Sequence, residues 1–167
     1  MKRFITILLL LSFIVPVSAQ TREEKKKMKD EKATEAYAAI KKLVNSAEIN
    51  FEADWATSNT GRRINLIGNT NYLKIDHTEG DIYLPFFGTA HSSSVGFNGN
   101  GGIEFKGKIE NYSTKFNDKK KLVVIKFRTK EKSESFDFTL TLYSNKNANL
   151  TVSSNSRSNI SYSGKIE

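Results

Sequence analysis

From Ala47 onward, apolar residues recur at every second position, in short runs separated by turn residues. Ala47, Ile49, Phe51, Ala53 and Trp55 alternate with Glu48, Asn50, Glu52 and Asp54. Successive side chains on a strand point to opposite faces, so this run reads as a strand with one buried and one wet face. Phe136, Phe138, Leu140 and Leu142 alternate with Asp137, Thr139, Thr141 and Tyr143 in the same way. Val123, Ile125 and Phe127 share a face, while Leu122 and Val124 make the start of that strand apolar on both sides.

The remaining strands are set by the punctuation between turns. Ser58 to Gly61 turns the chain into Ile64 and Leu66, Gly68-Asn69 turns it again, and Tyr72 to Asp76 comes next. A polar turn at Thr78-Glu79-Gly80 leads to a strand from Asp81 to Phe87. Residues 88–102 are rich in Gly, Ser and Asn and form the longest irregular stretch. Ile103 and Phe105 then oppose Glu104, Lys106 and Lys108, with Gly107 marking a bend or bulge. Lys119-Lys120-Lys121 reads as a hairpin turn, Asn145-Lys146-Asn147 turns into Leu150 and Val152, and Ile160, Tyr162 and Ile166 end the series. This spacing predicts an antiparallel meander of about eight or nine strands. No helical segment separates them, which argues against parallel βαβ units. A meander of that length has edges open to other chains unless it closes on itself. The expected architecture is therefore mainly β, a small lipocalin-like barrel in preference to a two-sheet sandwich. Its last strand pairs with an early one, and its interior is either filled or holds one small ligand.

One helix precedes the strands. Arg22 to Lys32 is charged at every position but Met28. Beyond it, Ala33, Ala36, Tyr37, Ile40, Leu43, Val44 and Ala47 recur at spacings of three and four, which places them on one helical face. The pattern predicts a helix from about 23 to 46 that docks its later half on the body. A membrane-surface role is disfavoured, because the apolar face is Ala-rich and carries neither Phe nor Trp.

Lys2 and Arg3, an apolar run from Phe4 to Val17, and the small residues Ser18 and Ala19 have the three-part layout of a secretory signal. The expected organisation is a signal peptide at 1–19, a charged arm at 20–32 and a single domain at 33–167. Cleavage near Ala19 would place the protein in the periplasm or outside the cell. With no cysteine, an exported chain is held by packing alone, which suits a bacterial envelope better than a disulfide-rich secreted class. The same absence excludes thiol catalysis, thiolate metal sites and attachment through a lipidated cysteine. No stretch after the leader is apolar enough to cross a bilayer as a helix.

The net charge of +8 raises nucleic acid, anionic membranes and acidic glycans as partners. The lysines are spread along the chain, which favours a role in solubility. Phe127 shares a face with Val123 and Ile125 while Lys126 and Arg128 point the other way, so no nucleic-acid platform is expected.

The candidate chemistry is thin. His77 lies in Asp76-His77-Thr78-Glu79-Gly80-Asp81, but alternating strand side chains diverge, so a polar hairpin explains the run better than a metal site. His91 precedes Ser92, Ser93 and Ser94 without a nucleophile elbow. The carboxylates alternate on wet strand faces rather than forming a catalytic pair. Gly96 to Gly102 leads into a strand, not into the helix N-terminus a phosphate cradle requires. Asn111, Asn149 and Asn159 begin acceptor patterns for glycosylation that carry no meaning in a bacterial exported chain. No catalytic residue, metal ligand or cofactor is assigned.

Leu84-Pro85-Phe86-Phe87-Gly88 with Ala90, the glycine-rich stretch to Gly102, and the ending Leu150 to Ser154, Arg157 and Ile160-Ser161-Tyr162-Ser163-Gly164 occur together. In these segments the chain resembles domain of unknown function family 4251, exported proteins mostly of the Bacteroides group. The resemblance covers roughly residues 30–167; Phe86-Phe87 departs mildly from the aromatic pair the family commonly shows there. It implies an exported, largely β protein with a barrel-like body, and it gives no activity, because the family has none assigned.

Tyr83, Phe86, Phe87 and Phe97 flank or occupy the longest loop and are the candidate lining of a site for a small apolar or amphipathic ligand. The alternative is an envelope module with a side-chain-filled barrel that docks another protein.

Overall fold

A computed structural model describes residues 21–91, 101–131 and 134–167. The expected signal peptide, together with Phe97, His91's three serine neighbours and most of the glycine-rich loop, lies outside these residues. The chain divides into two compact units, Met1–Glu31 and Lys32–Glu167.

In the first unit the described residues are exposed, and all but Thr21 are helical. They open on a capping box. The Thr21 backbone N–H donates to the Glu24 carboxylate (3.0 Å), and the Glu24 N–H donates to the Thr21 hydroxyl (3.3 Å). Two donors that a helix N-terminus leaves unpaired are thereby satisfied. The helix, α1, spans Arg22–Asn45.

In the second unit the later part of α1 buries Tyr37, Ile40 and Val44, with Ala33, Ala36, Leu43 and Ala47 half-buried beside them. The apolar stripe read from the sequence is thus the face that packs. Ten antiparallel strands come after it: β1 (Glu48–Ser58), β2 (Arg63–Asn65), β3 (Tyr72–Asp76), β4 (Glu79–Leu84), β5 (Ile103–Lys108), β6 (Glu110–Asn117), β7 (Leu122–Glu131), β8 (Glu134–Tyr143), β9 (Asn147–Ser154) and β10 (Ile160–Ile166). Their order in the sheet is β5-β4-β3-β1-β10-β9-β8-β7-β6, with β2 paired to β1.

The result is a nearly closed, barrel-shaped sheet. β10 pairs with β1 from Phe51↔Ile166 to Ser58↔Ile160, the late-to-early pairing a barrel needs. The two ends of the sheet, β5 and β6, are consecutive in the chain and separated only by Ile109. The chain bends there: Gly107 has φ 148° and Asn111 φ 54°. One kinked stretch therefore pairs with β4 through its first half and with β7 through its second.

Three details depart from the sequence reading. β6 has no counterpart in it; its residues are exposed or half-buried throughout, so it carries no two-residue signal. The turn after β3 is the two-residue His77-Thr78, with Asp76 paired to Glu79 and His77 at φ 54°, rather than Thr78-Glu79-Gly80. β4 stops at Leu84, because Pro85 has no N–H to give the ladder.

β1 is long because its partner changes along its length. Glu48–Phe51 pairs with β3 and Trp55–Thr57 with β2. In the gap Asn71 replaces a strand: Ala53 N–H donates to its side-chain oxygen (2.8 Å), and its amide donates to the Ala53 carbonyl (3.0 Å). On the other side of β1, a Cβ on Gly164 would run into the Glu52 carbonyl oxygen. That close approach explains the glycine.

Candidate functional site

Strand direction sorts the connections into two ends. The segment after β4, the β9–β10 connection and the start of β8 lie at one end; α1, the His77-Thr78 turn and the β6–β7 turn lie at the other.

At the first end, the residues singled out by sequence meet the second half of the chain. The Tyr162 hydroxyl, inside the barrel, donates to the Pro85 carbonyl (2.7 Å). Burial pushes its pKa up, so it stays a donor. Beyond Pro85 the chain runs alongside the β9–β10 connection. Thr89 N–H donates to the Ser158 hydroxyl (3.0 Å), Ser158 N–H to the Thr89 carbonyl (2.9 Å), and His91 N–H to the Ser156 carbonyl (2.8 Å). A Cβ at Gly88 would collide with the Ser158 hydroxyl and the Phe86 ring, so a larger residue would have to displace the contacts of that crossing.

Arg157 organises this end. Its guanidinium is bidentate on Glu134 (2.9 and 3.1 Å) and also donates to the carbonyls of Gly101 (2.7 Å) and Gly102 (2.9 Å). It lies over the rings of Phe86 (5.2 Å) and Phe136 (5.6 Å). The Ser154 hydroxyl donates to the same Glu134 carboxylate (2.6 Å). With side chains only 9% and 14% exposed, this pair is close to buried, and every strong partner it needs is present. Four segments distant in sequence are thus held by one cation.

The candidate ligand residues do not share one surface. Phe86 packs inward against the core and beneath Arg157. Tyr83 is exposed on the outer face, stacked on Tyr72 with ring centroids 6.0 Å apart. Phe87 is exposed beyond the strand end, and Phe97 is not among the described residues.

The Tyr72–Tyr83 stack is the centre of a mixed polar and aromatic face. Lys74 lies 5.0 Å over the Tyr72 ring, and Lys106 pairs with Asp81 (3.1 Å). Burial, then the adjacent Asp81 carboxylate, pushes the Tyr72 hydroxyl's pKa up. Beside it a groove of about 340 Å³ is lined by Asn50, Glu52, Thr70, Tyr72, Lys74 and Glu167. It lies where β1 changes partner. Nearby, Arg63 stacks 4.2 Å over Trp55.

Sequence reasoning missed Glu134 as the partner of Arg157 and Ser154 as a donor to Glu134. They stand on different strands with no motif linking them, and only the β8–β9 pairing of Phe136 with Ser154 brings them together. His77 does sit beside Asp76, its Nδ1 against the carboxylate, and that contact raises its pKa. Among the described residues, no three His, Cys, Asp or Glu side chains are placed to hold a metal ion.

A family model described as "Domain of unknown function (DUF4251)" matches residues 31–166. A solved structure, a DUF4251 family protein from Bacteroides eggerthii, is similar with a TM-score of 0.62 at 20% identity, over 80% of this chain and 88% of that one. No curated protein matches the chain.

Proposed function

The chain belongs to the DUF4251 family, and from that premise we propose that it is an exported, non-catalytic envelope module that docks another envelope protein through its outer surface. One observation carries the reading: the inward positions are occupied by the protein's own large side chains. Phe51, Phe138 and Tyr162 are at most 1% exposed, and they join one continuous cluster with Ile125, Leu140 and Leu150. Small barrels are either filled by side chains or hold one small ligand, and here buried side chains occupy the inward positions. Both ends support the same reading, since Arg157 with Glu134 closes one and α1 side chains close the other. The buried ionic groups Arg157 and Glu134 satisfy each other.

Recognition is then left to the outside. The Tyr72–Tyr83 stack supplies the exposed aromatic area that protein interfaces favour, with a polar groove beside it. Residues 1–19 would export the chain, and the arm at 20–32 would serve as a tether.

The test is crosslinking in the intact envelope of the host. A recurrent partner is expected, captured by the wild type and lost on Tyr72→Ala with Tyr83→Ala. Native mass spectrometry of the same protein supplies the contrary outcome. A lipid or metabolite retained in every preparation would replace this reading with that of a ligand carrier.

A further inference from the structure

We propose that the protein forms a symmetric dimer by pairing β6 with β6 of a second copy, so that the sheet continues across the interface. This concerns a surface other than the Tyr72–Tyr83 face and does not rest on the function proposed for it.

β6 is an end of the sheet, paired with β7 alone. Among the described residues, no backbone–backbone hydrogen bond joins it to a strand on the side away from β7. A strand in that position presents a row of free N–H and C=O groups, a template for another strand. Its inner face is only partly covered, by Lys41 of α1, which lies 5.9 Å over the Phe116 ring. Thr114 and Phe116 lie opposite Ile125 and Val123, which point into the barrel, and Tyr112 precedes them by two residues. Ile125 and Val123 are fully buried, yet Tyr112 is 37% and Phe116 39% exposed. Large apolar side chains on the core side of a strand are buried in the rest of this sheet, and here they are not.

The other end of the sheet is protected. β5 carries Glu104, Lys106 and Lys108 in six residues, and Gly107 at φ 148° breaks its line. Such charges and irregularities discourage strand addition. β6 has no proline. Its bulge, at Asn111 between Glu110 and Ser113, leaves the stretch from Tyr112 to Asn117 regular.

The occupant is set by the sequence of β6 itself. Two copies that extend one sheet with their inner faces on the same side must pair about a residue. A two-fold axis at Thr114 places Tyr112 opposite Phe116 of the second copy, twice, and Ser113 opposite Lys115. Directly opposed aromatic pairs stabilise a sheet. An axis at Lys115 would instead oppose the two lysines, which is destabilising. Of these two the register at Thr114 is the favourable one, and isologous pairing of this kind closes at two copies.

The chain has no cysteine, so engineered thiols report the register directly. Protein purified from its own host should sediment as a dimer. Thr114→Cys should crosslink to itself under mild oxidation, and Lys115→Cys should not. A mixture of Ser113→Cys and Lys115→Cys proteins should crosslink to each other. Tyr112→Lys with Phe116→Lys should abolish the dimer while the circular-dichroism melting curve stays that of a folded β protein. A monomer at every soluble concentration would overturn the proposal. So would a dimer that survives the double substitution, or one that crosslinks through Lys115→Cys and not through Thr114→Cys.

Discussion

At one end of the barrel Arg157 holds Glu134, two glycine carbonyls and two aromatic rings with a single charged group; at the other, Tyr37, Ile40 and Val44 of α1 press apolar surface onto the core. The two closures differ in their demands. Hydrogen bonds at the Arg157 end depend on distance and angle, so a side chain of similar size does not replace the original. The α1 end depends on buried area and volume, so another apolar side chain of similar volume serves. The first closure joins segments far apart in the chain, whereas the second uses a single stripe of one helix. The difference separates the contacts that specify this topology from those that stabilise it in bulk.

The largest expected effect is at Arg157. Arg157→Ala leaves Glu134 buried without its partner, which typically destabilises by about 3–5 kcal/mol. Arg157→Lys should recover little of this, because an ammonium cannot make the bidentate contact and reach both carbonyls. Urea denaturation midpoints measure both. A lysine variant as stable as wild type would dissolve the contrast between the two ends.

Ile40 supplies the matching test on α1. Ile40→Ala should destabilise by about 2–4 kcal/mol through lost burial and the cavity left behind. Ile40→Leu, which keeps the volume, should stay within about 1.5 kcal/mol. The expected signature is tolerance of the conservative change here and intolerance of it at Arg157. Equal intolerance at both positions would mean that α1 docks by shape as narrowly as the ion pair does by geometry.

The same contrast explains which parts of the molecule are legible in the sequence. The α1 stripe and the strands β1, β3, β7, β8 and β10 each carry their own periodicity, so a local pattern reveals them, and the barrel is implied by the number of strands that need closing. β6 lacks the signal because its inner residues Tyr112, Thr114 and Phe116 are not buried, and burial is the pressure that selects strict alternation. The clasp lacks one because Arg157, Glu134 and Gly101 meet only through strand pairing. Phe86 reads from sequence as ligand lining, where the structure places it under Arg157 and against the core. An aromatic beside a long loop has the same sequence appearance in both roles.

Tyr162 refines the picture of the Arg157 end at lower energy. Tyr162→Phe keeps the packing and deletes one hydrogen bond, leaving the Pro85 carbonyl without its donor. A loss of about 1–2 kcal/mol is expected, less than at Arg157 because no charge is stranded. The change should also raise hydrogen-exchange rates at Thr89 and Ser158, whose amides close the same crossing. An effect as large as that of Arg157→Ala would show that the hydroxyl, and not the ion pair, anchors Pro85 and the crossing beyond it.

The smallest effect belongs to the rim of the α1 end, where exposed titratable contacts, Lys41 with Asp118 and His77 with Asp76, border the apolar closure. His77 occupies the β3–β4 turn, its N–H donating to the Ala47 carbonyl (2.9 Å) and its ring meeting Asp76. The hydrogen bond to the Asp76 carboxylate, and after it the carboxylate's charge, raises the imidazole pKa above the ordinary histidine value. A raised folded-state pKa means that the stabilisation is complete below the unfolded value of about 6.5 and disappears as pH rises through the folded value. Asp76→Asn should therefore lower the His77 pKa in an NMR titration. It should lower the melting temperature slightly at pH 5 and not at pH 9. Because both side chains are well exposed, added salt should shrink the difference. A His77 pKa unchanged by Asp76→Asn would assign its elevation to the more distant Glu48, and the rim of the α1 end would then share charge with β1 and not with the turn alone.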